Sequence, residues 1–205
     1  MSRLLIATRN PGKRAEFREL LAGVGFELVF PDDIGLSFQP MEDRLERFDT
    51  FEENARAKAA WFASISGLDT LADDSGLEIA ALDGAPGVHS RHFARFGGSD
   101  EATARANIQL VMSRMATLDP VDRSARFRCE LVLRRRDGSE LTATGVAHGR
   151  IVDVARGRGG FGYDPIFYCD DLRMTFGEAS QRAKDAVSHR GRAAAALRQK
   201  LLGGD

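Results

Sequence analysis

The sequence predicts an α/β fold: a long mixed β-sheet covered by helices, with loops at the strand ends. Three observations predict it. The chain opens strand, helix, strand, which argues a parallel pair joined by a right-handed crossover. From Arg126 to Arg134, Phe127, Cys129, Leu131 and Leu133 alternate with polar residues, and Asp137-Gly138 turns this strand into a second apolar run. Elsewhere apolar residues recur at spacings of three and four, the helical period.

Taken in order, Leu4 to Thr8 reads as a short buried strand ended by the turn Asn10-Pro11-Gly12. Lys13 to Val24 carries Phe17, Leu20, Leu21 and Val24 on one helical face, Gly25 ends it, and Phe26 to Phe30 returns as a strand. Residues 31–49 are irregular and acidic. Thr50-Phe51-Glu52-Glu53 forms a capping box, and an Ala-rich helix runs to Ser66 before Gly67. Leu71-Ala72 and Leu77 to Leu82 are short strands on either side of Asp73-Asp74-Ser75-Gly76. Ala102 to Met115 is a helix capped at Ser99 or Asp100, with Met112 and Met115 facing the core. The hairpin partner spans Leu141 to Val146, and Ile151 to Val154 continues the sheet. A glycine-rich loop follows, and the chain ends helically from Gly177, with a break and a new N-cap at Ser188.

Composition narrows the function. The 205 residues suit one large domain or two intimate lobes, and no linker separates independent parts, so residues 1–205 read as a single domain. With 43% hydrophobic and 29% charged residues the chain is ordinary globular protein. A net charge of −1 supplies no global field for nucleic acid polymers or acidic lipid, so an anionic substrate needs a local cluster. Two cysteines without CxxC spacing argue against a disulfide framework, and Leu4 to Ala7 is too short for a signal or a membrane span. A cytoplasmic location is the expectation. Among 29 basic residues only Lys13, Lys58, Lys184 and Lys200 are lysines, which singles them out as positions needing a compact ammonium.

Two motif matches carry little. Gly157 to Gly162 fits G-x-G-x-x-G, but it runs into Tyr163-Asp164-Pro165 rather than opening a helix, as a dinucleotide site must. His89 and His92 have no third ligand near them in sequence. Four segments carry more. Thr8-Arg9-Asn10-Pro11-Gly12-Lys13 joins a strand to a helix N-terminus, a natural phosphate cradle. Asp73-Asp74 places paired carboxylates at a strand end, as Mg²⁺ sites do. Phe161-Gly162-Tyr163-Asp164 offers two aromatics on which a base can stack. Lys184 and Ser188-His189-Arg190-Gly191 gather donors at a helix start. Together they describe a pocket for a magnesium nucleotide.

The segments ATRNPGK (Ala7 to Lys13), TFEENARAKA (Thr50 to Ala59), ADDSGLEIAALDGAPGVHSRHFA (Ala72 to Ala94), GGFGYDPIF (Gly159 to Phe167) and SHRGRA (Ser188 to Ala193) resemble the inosine triphosphate pyrophosphatase family. The resemblance implies an elongated two-lobed α/β fold with the active site in the cleft, a homodimer, and Mg²⁺-dependent hydrolysis of ITP, dITP and XTP to the monophosphate and pyrophosphate. It puts Thr8, Arg9, Asn10, Pro11, Gly12 and Lys13 on the triphosphate, makes Asp74 general base and metal neighbour, and sets Ser75 against substrate. Phe161, Gly162, Tyr163 and Asp164 hold the base, and Lys184, His189 and Arg190 contact phosphate or base. Glu46 is the best match to the family's metal acid, with Glu42 and Asp43 as alternatives, because Leu45-Glu46-Arg47-Phe48-Asp49 departs from the pattern Glu-Glu-Thr-Gly. A Maf-like pyrophosphatase on pyrimidine or modified nucleotides, and a non-catalytic nucleotide-binding regulator, are the alternative functions.

Overall fold

Local chemistry sets most element ends in the computed structural model, which describes residues 2–116 and 123–203. Strand β1 (Ser2–Ile6) leads into helix α1 (Pro11–Leu20), where Asn10 is the N-cap and its side chain accepts the Lys13 N–H at 3.0 Å. Gly23 and Gly25, both at positive φ, then turn the chain into β2 (Phe26–Val29), parallel to β1. Helix α2 (Phe51–Ser66) starts on the expected capping box: Thr50 Oγ1 accepts the Glu53 N–H at 3.2 Å and donates to Glu53 Oε2 at 2.7 Å. It ends at Gly67, in the left-handed conformation. β3 (Asp69–Ile79) pairs parallel with β1. Next come α3 (Asp100–Met115, capped by Ser99), β4 (Ser124–Arg134), β5 (Glu140–Ile151), β6 (Phe167–Cys169), β7 (Met174–Thr175), α4 (Gln181–Val187) and α5 (His189–Leu202). The open sheet runs β2-β1-β3-β4-β5-β6-β7 and is mixed, since β5, β6 and β7 pair antiparallel. No helix among the described residues is long and apolar enough to cross a membrane.

Four expectations need correction. Asp73-Asp74-Ser75-Gly76 is not a turn between two strands; β3 runs through it, because cationic partners described below hold its acids in extended backbone. Residues 80–82 form a single 3-10 turn rather than strand. β5 is one continuous strand to Ile151, and 152–154 lie outside it. Gly149 interrupts its apolar pattern; a Cβ there would collide with the Tyr168 carbonyl of β6, so glycine is the price of close pairing. β6 and β7, three and two residues long, are too short to show a period. The helical finish begins at Gln181 rather than Gly177, with Ser180 as its cap and Ser188 separating α4 from α5.

The chain divides into two compact units, residues 1–74, 129–145 and 191–205, and residues 75–128 and 146–190. In the first, β1 alternates: Leu4 and Ile6 pack with Phe17, Leu21, Phe30 and Leu197, while Leu5 packs on the other face with Ala55, Ala59 and Phe62. The second unit has its own core of Leu77, Val111, Met115, Phe127, Phe167 and Phe176, with the Phe127 and Phe167 rings edge-on at 4.7 Å. Cys129 and Cys169 are buried thiols, and Met112 packs partly buried against the second core.

Candidate functional site

In the first unit the chemistry gathers at the end of β1, on one face of α2 and at Asp73-Asp74. Residues Phe51, Asn54, Ala55, Lys58, Ala59 and Phe62 are the buried positions of α2. Asn54 and Lys58, spaced four apart, therefore share the inward face. Asn54 Nδ2 donates to Asp74 Oδ2 at 2.9 Å and to the Phe48 carbonyl at 3.3 Å. Lys58 Nζ donates to Glu46 and, at 2.9 Å, to the Asp73 carbonyl. From α1, Lys13 Nζ meets Asp73 Oδ2 at 2.8 Å. Successive strand residues face opposite ways, so the Asp73 and Asp74 carboxylates meet different partners.

The electrostatics separate the acids. Burial first, and then the field of Glu46, push the Asp74 carboxyl up to about 6, against the opposing pull of Lys58 and Lys13 and the Asn54 hydrogen bond. Lys58 draws Glu46 down to about 2. Burial alone would depress the Lys58 ammonium, but Glu46, Asp74 and Asp73 together hold it above its ordinary value. Asp74 is thus a carboxylate of raised basicity beside one that stays ionised, the arrangement a general base requires.

The phosphate segment is ordered differently from a simple cradle. Thr8 is buried and its Oγ1 accepts the Asn10 N–H at 3.3 Å. Pro11 occupies the first helical position and has no N–H, and the Lys13 N–H is already given to Asn10. Gly12 also lies at this helix start, and the Lys13 ammonium there is ion-paired with Asp73. The Arg9 side chain turns away to Glu42, Asp32 and the Leu36 carbonyl. Of the three acids weighed for metal binding, Glu42 is thereby paired with Arg9 and Asp43 is exposed, while Glu46 faces Lys58 and the field of Asp74.

A magnesium ion fits this donor set. Mg²⁺ is held by one or two carboxylates plus waters and substrate phosphates. Glu46 and Asp74 are the residues that would hold it, and a divalent cation there would offset the field of Glu46 on Asp74. No group of three or more His, Cys, Asp or Glu side chains converges among the described residues, His89 and His92 included.

In the second unit, Asp164 and Lys184 form an ion pair at 2.6 Å, their side chains 3% and 2% exposed. Asp164 Oδ2 also accepts the Phe161 N–H at 2.7 Å, so one carboxylate folds the loop. The glycines of the G-x-G-x-x-G match serve this folding. A Cβ on Gly157 would strike the backbone of Gly177, and one on Gly160 would strike the Asp164 carboxylate. Phe161 is half-buried, with Lys184 Nζ 4.8 Å and the Arg190 guanidinium 5.8 Å from its ring centroid. Tyr163, expected with Phe161 to offer a ring for stacking, is instead buried in the core; its hydroxyl donates to the Ser90 carbonyl at 2.8 Å, and burial raises its pKa. Gly162, at φ 61°, links the two rings. His189 stacks on Phe127 at 4.7 Å, and Arg190, the largest of the fully buried side chains, donates to Ser75 Oγ at 2.8 Å.

The structure brings Lys13, Glu46, Asp73 and Asp74 together in one unit, and Ser75, Phe161, Asp164, Lys184, His189 and Arg190 in the other. Asn54 was not singled out in the sequence, and Lys58 stood out only as one of four lysines, without its partners. Their signal was present, since Lys58 falls on the stripe Phe51, Ala55, Lys58, Phe62, where a charge has no place without a buried partner.

Residues 4–200 match the model of the Ham1 family. The chain is 44% identical over 201 residues to a dITP/XTP pyrophosphatase of Geobacter sulfurreducens, covering 98% of this chain and 97% of the relative. It is 44% identical over 195 residues to a dITP/XTP pyrophosphatase of Thermus thermophilus, covering 95% and 89%. Among solved structures, a HAM1 protein from Coxiella burnetii superposes with a TM-score of 0.85 at 36% identity, covering all of both chains.

Proposed function

The chain belongs to the Ham1 family, and from that premise we propose that it hydrolyses the non-standard purine nucleoside triphosphates ITP, dITP and XTP to monophosphate and pyrophosphate. The observation that carries the reading is Asp74: a buried carboxylate with its pKa raised to about 6, beside Glu46, Lys58 and the helix start that bears Lys13. Asp74 takes a proton from water, the water oxygen attacks the α-phosphorus, and pyrophosphate leaves with the bridging electron pair. Lys13 and the Gly12 N–H hold the triphosphate charge, and Lys58 keeps Glu46 ionised. Glu46 and Asp74 would hold Mg²⁺, which when bound would supply charge neutralisation of the phosphates. Phe161 stacks on the base, while Ser75, Lys184, His189 and Arg190 meet the base and its ribose phosphates. A cytoplasmic homodimer acting on free nucleotides, not on nucleic acid or membrane, completes the reading; reduced, buried thiols fit the location and a near-neutral charge fits a small-molecule substrate, while the homodimer rests on the family resemblance.

Pyrophosphate release from ITP, dITP, XTP, GTP and dTTP, with Mg²⁺ or with EDTA, tests this. The expected result is release from the first three, abolished by EDTA. Preference for dTTP would make the chain Maf-like, and binding without release would make it a regulator.

Three outcomes follow from the geometry. Lys13→Ala should weaken triphosphate binding by ~10–100-fold, the worth of charge-assisted hydrogen bonds, and leave inosine binding unchanged. Equal losses for both ligands in calorimetry would make Lys13 a mere partner of Asp73.

The acid limb of kcat/KM for ITP should fall near pH 6 at low Mg²⁺, since the base works only when ionised. A cation favours the ionised form, so raising Mg²⁺ should move the limb to lower pH; a limb indifferent to Mg²⁺ contradicts the assignment.

Arginine only donates, so Arg190 rewards the O6 acceptor of hypoxanthine and xanthine over adenine's amino group. Arg190→Ala should narrow the ITP-over-ATP ratio of kcat/KM by ~5–100-fold, mostly through lost ITP activity, and affect ITP-over-GTP much less, because guanine shares O6. Collapse of both ratios together would give Arg190 a structural role through Ser75 instead.

A further inference from the structure

Arg9 lies within residues 8–13, yet its guanidinium is committed elsewhere. Nε and Nη2 fork onto Glu42 Oε2 and Oε1 at 2.8 and 2.9 Å, Nη2 also reaches the Leu36 carbonyl at 2.8 Å, and Nη1 meets Asp32 Oδ1 at 2.5 Å. Four hydrogen bonds thus tie one side chain to three points of an irregular segment. Asp32 gives its other oxygen to Arg14 Nη1 at 2.8 Å, and Arg14 Nη2 reaches Asp33 at 3.3 Å. Two arginines face three carboxylates, so an approaching phosphate meets no excess of positive charge at Arg9.

The segment needs such a tie. Between Asp32 and Asp49 only Leu45 is buried, with Ile34 and Leu36 partly buried against the same core, so few apolar contacts hold the segment. Glu42 opens the single 3-10 turn Glu42–Arg44, and its Oε1 also accepts the Gln39 N–H at 3.0 Å. Glu46 follows four residues after the fork.

We propose that Arg9 is a positioning residue: it clamps Asp32, Leu36 and Glu42 so that Glu46 is set in place to bind the divalent cation, and it does not contact the triphosphate. The proposal rests on the pyrophosphatase reading for its consequence in turnover, but the clamp itself is measurable without turnover. A planar fork is required, so lysine cannot substitute.

The test compares wild type, Arg9→Ala, Arg9→Lys, Glu42→Gln and the Arg9→Ala/Glu42→Gln double variant. Three readouts are taken: Mn²⁺ binding without nucleotide, followed by electron paramagnetic resonance; chymotryptic cleavage at the exposed Phe38 and Phe48; and the Mg²⁺ and ITP dependence of pyrophosphate release. Loss of the fork in either Arg9 variant should weaken Mn²⁺ binding and raise the half-activating Mg²⁺ concentration about tenfold. It should also speed cleavage about tenfold, with KM for ITP at saturating Mg²⁺ moved by less than about threefold. Glu42→Gln should do the same, and the double variant should be no worse than Arg9→Ala, because both act through one contact. Unchanged Mn²⁺ binding and cleavage, with KM for ITP raised about tenfold and restored by lysine, would overturn the proposal and return Arg9 to the triphosphate. If wild type releases no pyrophosphate, the functional reading fails, and Mn²⁺ binding and cleavage still decide the clamp.

Discussion

Asp74→Asn should lower kcat by at least ~10²-fold, the lower end of general-base contributions, while triphosphate binding survives. The substitution isolates basicity. Asparagine has the same shape, and its carbonyl oxygen can keep accepting from Asn54 Nδ2, now at 2.9 Å from Asp74 Oδ2. The same change should stabilise the protein at neutral pH. A carboxyl whose folded pKa is raised from 3.8 to about 6 favours folding only while protonated; that contribution is full below 3.8 and lost as pH rises through 6. At pH 7 the wild type carries an ionised, buried Asp74, whereas the variant carries a neutral amide in its place. Thermal melts should therefore show a higher Tm for the variant at pH 7 and little difference near pH 4. Low activity with raised Tm separates lost chemistry from lost fold, a familiar trade at catalytic positions. Turnover near that of wild type would remove Asp74 from the reaction. Asp73 is the poorer substitute, since Lys13 sits 2.8 Å from it.

What was legible in the sequence was the part governed by local chemistry. Thr50-Phe51-Glu52-Glu53 and Ser99 start helices where their side chains can cap them, and each does so, while Asn10-Pro11, which reads as a turn before a helix from Lys13, caps and opens that helix two residues earlier. The alternation of Phe127, Cys129, Leu131 and Leu133 is a strand because one face of it is core. Asp73-Asp74-Ser75-Gly76 reads as a turn for a good local reason, since all four residue types favour turns. Lys13, Asn54 and Lys58, far apart in sequence, supply the partners that let two acids stand buried in a strand. No window along the chain holds that information.

The same limit explains the loop at residues 157–162 and the aromatics that follow it. Sequence singles these residues out for stacking alone. Tyr163 belongs to the core through Ser90, seventy-three positions away, and only Phe161 keeps a half-buried ring. Arg9 is the converse case: its motif places it beside phosphate, while its guanidinium hydrogen-bonds to a segment that begins at Asp32. Position within a motif tells where a backbone runs, and long side chains such as arginine then reach partners outside it.

Lys184→Met should cost about 3–5 kcal/mol of stability, because it takes the ammonium from a carboxylate that is itself buried. For a chain of this size that is a fall in Tm of about 6–20 °C. Lys184 Nζ also lies 4.8 and 5.7 Å from the centroids of Phe161 and Phe176, so the methionine stem refills the space and the charge is what is lost. Adding Asp164→Asn should recover most of the stability: the amide oxygen still accepts the Phe161 N–H, now 2.7 Å from Asp164, and no buried charge is left over. The double variant then isolates the functional part of Lys184. If the ammonium meets substrate, Lys184→Met/Asp164→Asn regains its Tm but not its affinity for ITP, and kcat/KM stays low by ~10-fold or more. Should activity return along with stability, Lys184 serves only to hold the Phe161 loop, and the substrate contact assigned to it is wrong.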